Sequence, residues 1–449
     1  MKKDKISRTM QTRKVAYNVL NHFDFFNEKI PVLLDQSLNK HSGILKKDRN
    51  RIIVSVNEVI RFRGLLDHII EKGSKRKIEH VNPKLRNILR LGVYELLFDE
   101  LVPDFAAIHS SVELAKKNIN KRSSSMVNAV MRNIQRLNDI NDNWEKTLKN
   151  NKVHLAYPDW LIKKWRLQFG NSQTIKLCTT FLIKNDMYIR LNVEKVNVEE
   201  MFSIFTKQEI YVSQHKDIKN FFKVNSGKEK ILDSNLFKSG IISIQDPASG
   251  AIINLVDPQK DEVILDVCAA PGTKSLLMAQ KVGINGKIYA CDKNQKRVSQ
   301  GKKDILRHQY KNIEWFVADA SKEKFPLYNK ILIDAPCSGT GVIGRRPDIK
   351  WRLKEVDIKK MSILQRKILS NMSNYLELGG KIVYSTCSLE KEENEDVVNN
   401  FLAERKDFKL VVSNSLLPDN WITSSGFMFS FPNNTKTDGL FAAVLKKVN

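Results

Sequence analysis

Two cysteines hold the chemistry this chain could perform. Cys337 lies in KILIDAPCSGTG and Cys387 in GGKIVYSTCSLE, each just past an apolar run that reads as a buried strand. A thiolate is an intrinsically strong nucleophile, and its covalent adduct with an electron-poor carbon must later be broken. A second thiol opposite the first has a purpose if it helps that elimination. Free thiols are only a few per cent ionised at neutral pH, so the attacking one is expected to have local electrostatic help.

The elements that must position these thiols begin near residue 241. From there strand, loop and helix alternate: VILDV, KIYACD, IEWFVAD, KILIDAP, KIVYSTC and LFAAVLKK are the apolar runs. This pattern predicts a mostly parallel sheet covered on both faces, with ligands bound beyond the carboxyl ends of its strands. Carboxylates recur at those ends, as Asp266, Asp292, Asp319 and Asp334. One strand-end aspartate often does no more than cap a helix, but four in succession are harder to dismiss. Between the first two runs, CAAPGTK (268–274) turns tightly at Pro271-Gly272, where small side chains let backbone amides approach a ligand. Asp292 follows Asp266 by 26 residues, close to the offset at which a carboxylate takes a ribose hydroxyl pair in dinucleotide folds. PGTKS looks like the tail of a phosphate-binding loop, yet the first Gly of GxxxxGK[ST] is missing, which argues against nucleotide hydrolysis.

Upstream, residues 150–240 read as a small α/β module, with Arg190 and Asn192 on a short strand and Trp160 and Trp165 on a helix. Residues 139–160 are polar and Asn-rich and read as a linker. The first third reads as helical throughout. In NPKLRNILRLGVYELLF, Leu85, Ile88, Leu89, Gly92, Leu96 and Leu97 recur at helical spacing behind Pro83. Residues 1–150 hold 29 Lys and Arg against 17 Asp and Glu, within a chain of net charge +25. Such charge suits a polyanionic partner, and Arg13, Lys14, Lys46, Lys47, Arg49, Arg51, Arg61 and Arg63 could face its phosphates. Arg345, Arg346 and Lys350 in GRRPDIKW could raise the potential near a thiol or grip phosphates, and Trp351 beside them could stack on a base or pack in a core. No segment nears the roughly 18 apolar residues of a membrane span. Five cysteines without a CxxC pair point to thiols in a reducing, cytoplasmic setting rather than a disulfide frame or metal site.

The order and spacing of QDPAS, LDVCAAPGTKS, ACD, VADA, IDAPCSGTGVIGRRPDIKW and YSTCSLEKEENE resemble the bacterial 16S rRNA (cytosine-C5) methyltransferases of the Sun/Fmu type. The run LRLGVYELLFDELVPDFAAIHSSVELAKK with VNAVMRNI resembles the NusB-type RNA-binding domain. The resemblance implies a multidomain chain: an all-α NusB-like domain (1–140), a linker with a small α/β module (141–240), and an α/β Rossmann-like methyltransferase domain (241–449) using S-adenosyl-L-methionine. It implies that Cys268, Ala269, Ala270, Pro271, Gly272, Thr273, Lys274, Asp292, Asp319 and Asp334 contact the cofactor, and that 16S rRNA is the partner. It makes Cys387, of the Thr-Cys pair, the nucleophile at C6 of cytosine, with Asp334 on N3 and the amino group and Cys337 assisting release. The chain departs from the family at Thr273 and Ser275, where a Gly and a Thr are usual, and lacks the His of the family's C-terminal His-x-x-Asp-Gly-Phe.

Three other functions stay open on sequence grounds. One is a NusB-like ribosome-assembly factor with a non-catalytic methyltransferase domain, which would have no use for both thiols. Another is a cytosine methyltransferase acting on a different RNA. The last is a DNA methyltransferase, in which Cys337 of the Pro-Cys pair would attack.

Overall fold

Pro83 opens a helix here because its missing N–H is not needed in a first turn, and the Asn82 side chain caps that turn by accepting from Lys84 N. The resulting helix, Pro83–Leu97, is buried along nearly its whole length. In the computed structural model, which describes residues 2–140, 152–183, 185–412 and 417–449, it is the fourth of a helical series. The series runs α1 (Lys2–Phe26), α2 (Ile30–Lys40), α3 (Lys46–Ser74), α4 (Pro83–Leu97), α5 (Asp104–Asn118) and α6 (Lys121–Ile140), followed by α7 (Asp159–Leu182). Residues 141–151 of the expected linker lie outside the described residues, whereas 152–160 form a single turn (Lys152–Ala156) and the start of α7, with Val153, Ala156 and Tyr157 buried, and so are no loose linker. Contacts group residues 1–184 with the distant segment 343–353 into one compact unit, and residues 185–342 with 354–449 into another.

Inside the helical unit, several arginines are engaged in internal pairing. Arg90 reaches Asp67 at 2.6 Å and Asp24 at 3.1 Å, Arg63 reaches Asp24 at 2.8 Å, Arg13 reaches Glu95 at 2.8 Å, and Arg51 pairs with Asp99. Arg61 is buried and donates to the carbonyls of Phe181 and Gly344, both at 2.8 Å. Four of the eight cations expected to face phosphates are therefore internal, while Lys14 and Lys47 are exposed. Trp165 is fully buried against Tyr157 and Phe181.

The second unit contains two sheets. The smaller one joins β1 (Tyr188–Leu191), β2 (Tyr211–Gln214), β3 (Phe221–Ser226) and β4 (Ile242–Ile244) in the order β2-β3-β1-β4, all antiparallel. Arg190 ties it to the larger domain by donating to Gln245 (2.7 Å) and Gln280 (2.9 Å), and Asn192 does so by donating to the Tyr310 hydroxyl (2.8 Å). The Arg-x-Asn pair thus works as a joint between sheets.

The larger sheet is made of β5 (Val263–Val267), β6 (Lys287–Asp292), β7 (Ile313–Val317), β8 (Tyr328–Asp334), β9 (Leu376–Thr386), β10 (Phe408–Val411), β11 (Met428–Ser430) and β12 (Leu440–Lys447). Its order is β10-β12-β9-β8-β5-β6-β7, with β11 paired to β12. The five strands from β9 to β7 are parallel, and β10, β11 and β12 are antiparallel additions. Alternate residues face opposite layers. Leu265, Ile331, Ile333 and Ile382 pack on helices α12 (Glu355–Ser373) and α13 (Glu395–Glu404). Ile264, Leu332 and Val383 pack on α9 (Pro247–Val256) and α10 (Thr273–Val282), helices of the opposite face. Between β5 and β8 the strand order reverses, which opens a crevice at the carboxyl ends.

Candidate active site

Because β8 and β9 are parallel neighbours, with Asp334 opposite Ser385, the chain leaves both strands at one level. Three residues past Asp334 comes Cys337 and two past Ser385 comes Cys387, and their sulfurs lie 3.1 Å apart. The two loops are clamped to each other: Cys387 N donates to Cys337 Sγ at 3.3 Å, Gly341 N to Cys387 O at 3.0 Å, and Leu389 N to Thr340 Oγ1 at 2.9 Å. Gly341 leaves no room for a side chain, since a Cβ would lie 1.9 Å from the Gly439 carbonyl. Gln365, from α12, donates to Pro336 O at 2.8 Å and holds the first loop from below.

The two thiols are not equivalent. Its hydrogen bond with the Cys387 sulfur, burial, and the charges of Cys387 and Glu393 push the Cys337 thiol well above its ordinary value. The cation nearest this chemistry is Lys274, whose Nζ lies 2.7 Å from Asp334 Oδ2. Burial works against its ammonium, but Asp334, Cys387 and Asp266 together outweigh burial and hold it above its ordinary value. Ser385 Oγ donates to the other Asp334 oxygen at 3.2 Å, which fixes the carboxylate plane.

Around the crevice, the remaining residues of the expected cofactor set line up on consecutive loops. Ala269 and Ala270 pack on Ala290, Val298 and Trp315, so the loop after β5 rests on an apolar floor. Gly272 has φ +104°, and a Cβ there would lie 2.7 Å from the Trp315 ring. Helix α10 starts at Thr273 without a side-chain cap, and Cys268 takes φ +60°. Asp266 is fully buried, and burial pushes its carboxyl up to about 7 despite donation from Ser275 Oγ at 2.5 Å. Its Oδ1 has no hydrogen-bond partner. Asp292, at the end of β6, accepts from Asn294 N at 2.9 Å and pairs with Arg297 at 2.9 Å. Asp319 accepts from Ser321 N and Oγ, and that hydroxyl bond is the main cause of its lowered pKa.

The GRRPDIKW residues stand differently. Segment 343–353 is held by the helical unit: Lys350 Nζ donates to Arg61 O (2.8 Å), Trp351 Nε1 to Ile60 O (2.8 Å) and Arg352 Nε to Asn27 O (2.9 Å). Lys350 is 1% exposed, with its ammonium 3.9 Å from the centre of the Tyr157 ring, and burial drives its pKa well below the ordinary value. An ammonium so enclosed cannot grip a phosphate, and Lys350 leaves that set. Arg345 and Arg346 remain half-buried, the latter 3.5 Å from Asp348. Trp351 is half-buried with its indole N–H already engaged, which favours packing over base stacking.

Two residues of the site were not singled out from sequence. Glu393, fully buried, accepts from Ser338, and Asn394 bonds Thr386 and Ser388. Lys274 was expected to meet the cofactor only, whereas it also faces Cys387. The available signal was the acidic run KEENE directly after TCSLE, which reads as a solvated face. Among the described residues no group of three or more His, Cys, Asp or Glu could hold a metal ion. No helix among them is long and apolar enough to cross a membrane.

Residues 253–446 match the family model of the 16S rRNA methyltransferase RsmB/F, residues 10–136 that of the NusB family, and residues 157–228 that of the ferredoxin-like domain of RsmF/B-like methyltransferases. Fold and models together define a methyltransferase with a Rossmann-like catalytic half and a NusB-type helical head. The probable ribosomal RNA small subunit methyltransferase B of Bacillus subtilis is 31% identical over 94% of this chain and 95% of its own length. Its counterpart in Synechocystis is 30% identical over 98% of this chain and all of its own. The crystal structure of PH0851 superposes with a TM-score of 0.79 at 26% identity, covering 98% of this chain and 99% of that one. The chain belongs to the ribosomal RNA small subunit methyltransferase B family.

Proposed function

We propose that this protein methylates C5 of a cytosine in 16S rRNA, in the cytoplasm, by covalent catalysis from Cys387 with S-adenosyl-L-methionine as methyl donor. The observation that carries this reading is the pair of sulfurs 3.1 Å apart, of which Cys337 is the thiol held well above its ordinary value. C5 of cytosine is a poor nucleophile while the ring stays aromatic. Addition of the Cys387 thiolate to C6 turns the ring into an enamine, and Lys274 supplies the nearby positive charge. Asp334, held by Lys274 and Ser385, binds the N3 edge of the base by accepting from the exocyclic amino group as charge moves into the ring. The C5 proton then passes to water in the open crevice, the C6–S electron pair returns to the Cys387 sulfur, and the neighbouring Cys337 thiol assists that release.

The residues of the crevice suit the cofactor. Asp266 Oδ1 is a buried acceptor without a partner, Gly272 leaves backbone bare above Trp315, and the amides of α10 have no side-chain cap. Cys268 to Lys274, Asp292, Asp319 and Asp334 would hold it, with Asp292 on the ribose and Asp319 near the adenine. When bound, S-adenosyl-L-methionine supplies an electrophilic methyl group. The target base must be unpaired or flipped, since a duplex hides C5 and C6. Arg345 and Arg346 are the cations of GRRPDIKW that could take flanking phosphates.

The test is a pair of variants assayed for methyl transfer to 16S rRNA and for RNA adducts on denaturing gels. Cys387→Ser should lose methylation and still bind cofactor, and Cys337→Ser should trap a covalent protein–RNA adduct. Ordinary turnover by Cys387→Ser refutes the assignment. Loss of one 16S 5-methylcytosine from cells lacking the gene, read by bisulfite sequencing, would identify the substrate, whereas an unchanged pattern would point to another RNA.

A further inference from the structure

Glu393 sits in the single turn Lys391–Glu393 just after the Cys387 loop, fully buried, where a carboxylate is costly without a compensating function. Both its oxygens face the other loop: Ser338 N lies 3.1 Å from Oε1 and 3.0 Å from Oε2, and Ser338 Oγ lies 3.2 Å from Oε2. Its own carbonyl accepts from the Tyr384 hydroxyl at 2.6 Å, which anchors the turn to β9. The next residue serves the opposite loop. Asn394 meets Thr386 Oγ1 at 2.5 Å and donates to Ser388 O at 2.9 Å. Glu393 thus bonds Ser338 of the Cys337 loop and also interacts with Ser388, Asn394 holds the Cys387 loop, and the Ser338 and Ser388 hydroxyls, 3.1 Å apart, join the two.

We propose that Glu393 is a positioning residue for the release half of the reaction: through Ser338 it holds the Cys337 thiol against Cys387. A glutamine in its place offers one acceptor instead of two and turns an amide N–H toward the Ser338 donors. It also removes a carboxyl that burial pushes up to about 7 and that, when ionised, raises the neighbouring Cys337 thiol. Asn394, by contrast, keeps Cys387 in place when Glu393 is changed. Addition to C6 therefore survives, and the step that needs Cys337 slows. The inference rests on the two-thiol reading above.

The experiment compares full-length wild type, Cys337→Ser, Glu393→Gln and Glu393→Asp with 16S rRNA and S-adenosyl-L-methionine. Covalent adduct, steady-state turnover and cofactor affinity by calorimetry are measured on each. Glu393→Gln should accumulate adduct as Cys337→Ser does, with turnover down on the order of tenfold to a hundredfold, the scale expected for a misplaced catalytic group. Its cofactor affinity should match wild type, and Glu393→Asp should fall between the two. A merely structural role would lower adduct and turnover together. Unchanged turnover in Glu393→Gln, or joint loss of adduct and turnover with cofactor binding intact, overturns the inference. If Glu393→Gln does not fold, Ser338→Ala decides: it removes the hydroxyl bond alone and should show a smaller rise in adduct, whereas no rise refutes the proposal. Should Cys337→Ser itself fail to trap RNA, the two-thiol reading fails first, and the two failures are thereby told apart.

Discussion

Asp266→Asn should change how the stability of this protein depends on pH. Asp266 is completely buried, one of its oxygens has no partner, and its carboxyl is pushed by burial from near 3.8 to about 7. Between those values the folded chain holds a proton there that the unfolded chain has released. Its contribution is therefore unfavourable to folding above the unfolded pKa, grows more so as pH rises, and levels off above the folded pKa. Each pH unit in that window costs about 1.4 kcal/mol, so wild type loses about 2–3 kcal/mol from this residue between pH 5 and pH 8. Asparagine does not titrate. Its amide leaves an unsatisfied donor where Oδ1 stood, but that cost of about 1–3 kcal/mol is the same at every pH and does not enter the comparison. The assay is thermal unfolding of both proteins without cofactor at pH 5, 6, 7 and 8. Other titrations cancel in the difference, so the midpoint of the variant should gain on wild type by roughly 5 °C across that range. A difference that stays constant from pH 5 to pH 8 refutes the argument, because it would mean that Asp266 has the same pKa folded and unfolded.

Other predictions test separate parts of the molecule. Gly341→Ala should destabilise the fold by about 3 kcal/mol and open the cysteine loops, since the Cβ would overlap the Gly439 carbonyl; denaturant titration checks the stability, and adduct formation the loops. Lys350→Met should leave the salt dependence of RNA binding unchanged, because the enclosed ammonium releases no counterions; a log–log slope smaller by about 0.7 would show a phosphate contact after all. The depressed pKa of Lys350 also means that the folded chain holds this proton less readily than the unfolded one, so wild type carries a penalty that is largest at low pH and is lost as pH rises toward the unfolded pKa. Any stability gained by the methionine variant should therefore shrink as pH rises. Hydrogen peroxide should oxidise one thiol of the pair to a sulfenic acid, which condenses with the other to a disulfide and releases water. Intact mass should fall by two hydrogens, activity should vanish, and dithiothreitol should restore both; irreversible sulfinic acid as the only product would refute close approach in solution.

What could be read from the chain divides along a physical line. Cys337, Cys387 and the four aspartates were legible because each follows an apolar run, and a parallel sheet delivers the ends of all its strands to one edge whatever the rest of the chain does. The antiparallel direction of β12 was not legible, since LFAAVLKK carries the same apolar signature in either direction. Charged residues were the least legible. Lys350 and Arg346 stand four apart in one basic motif, yet one is enclosed among groups from residues 61 and 157 and the other remains half-buried. Glu393 and Glu392 are adjacent in an acidic run, and only Glu393 meets Ser338, a residue 55 positions away. A charge count measures what a chain brings to an electrostatic field, and burial by distant residues decides how much of that charge ever reaches solvent. The head shows the consequence: with Arg13, Arg51, Arg61, Arg63 and Arg90 all engaged internally, the positive charge it presents to solvent comes from exposed cations such as Lys14 and Lys47 rather than from its full basic count. Substituting those two lysines with glutamine is accordingly expected to reduce the salt slope of RNA binding by more than any change at the buried arginines that leaves the fold intact.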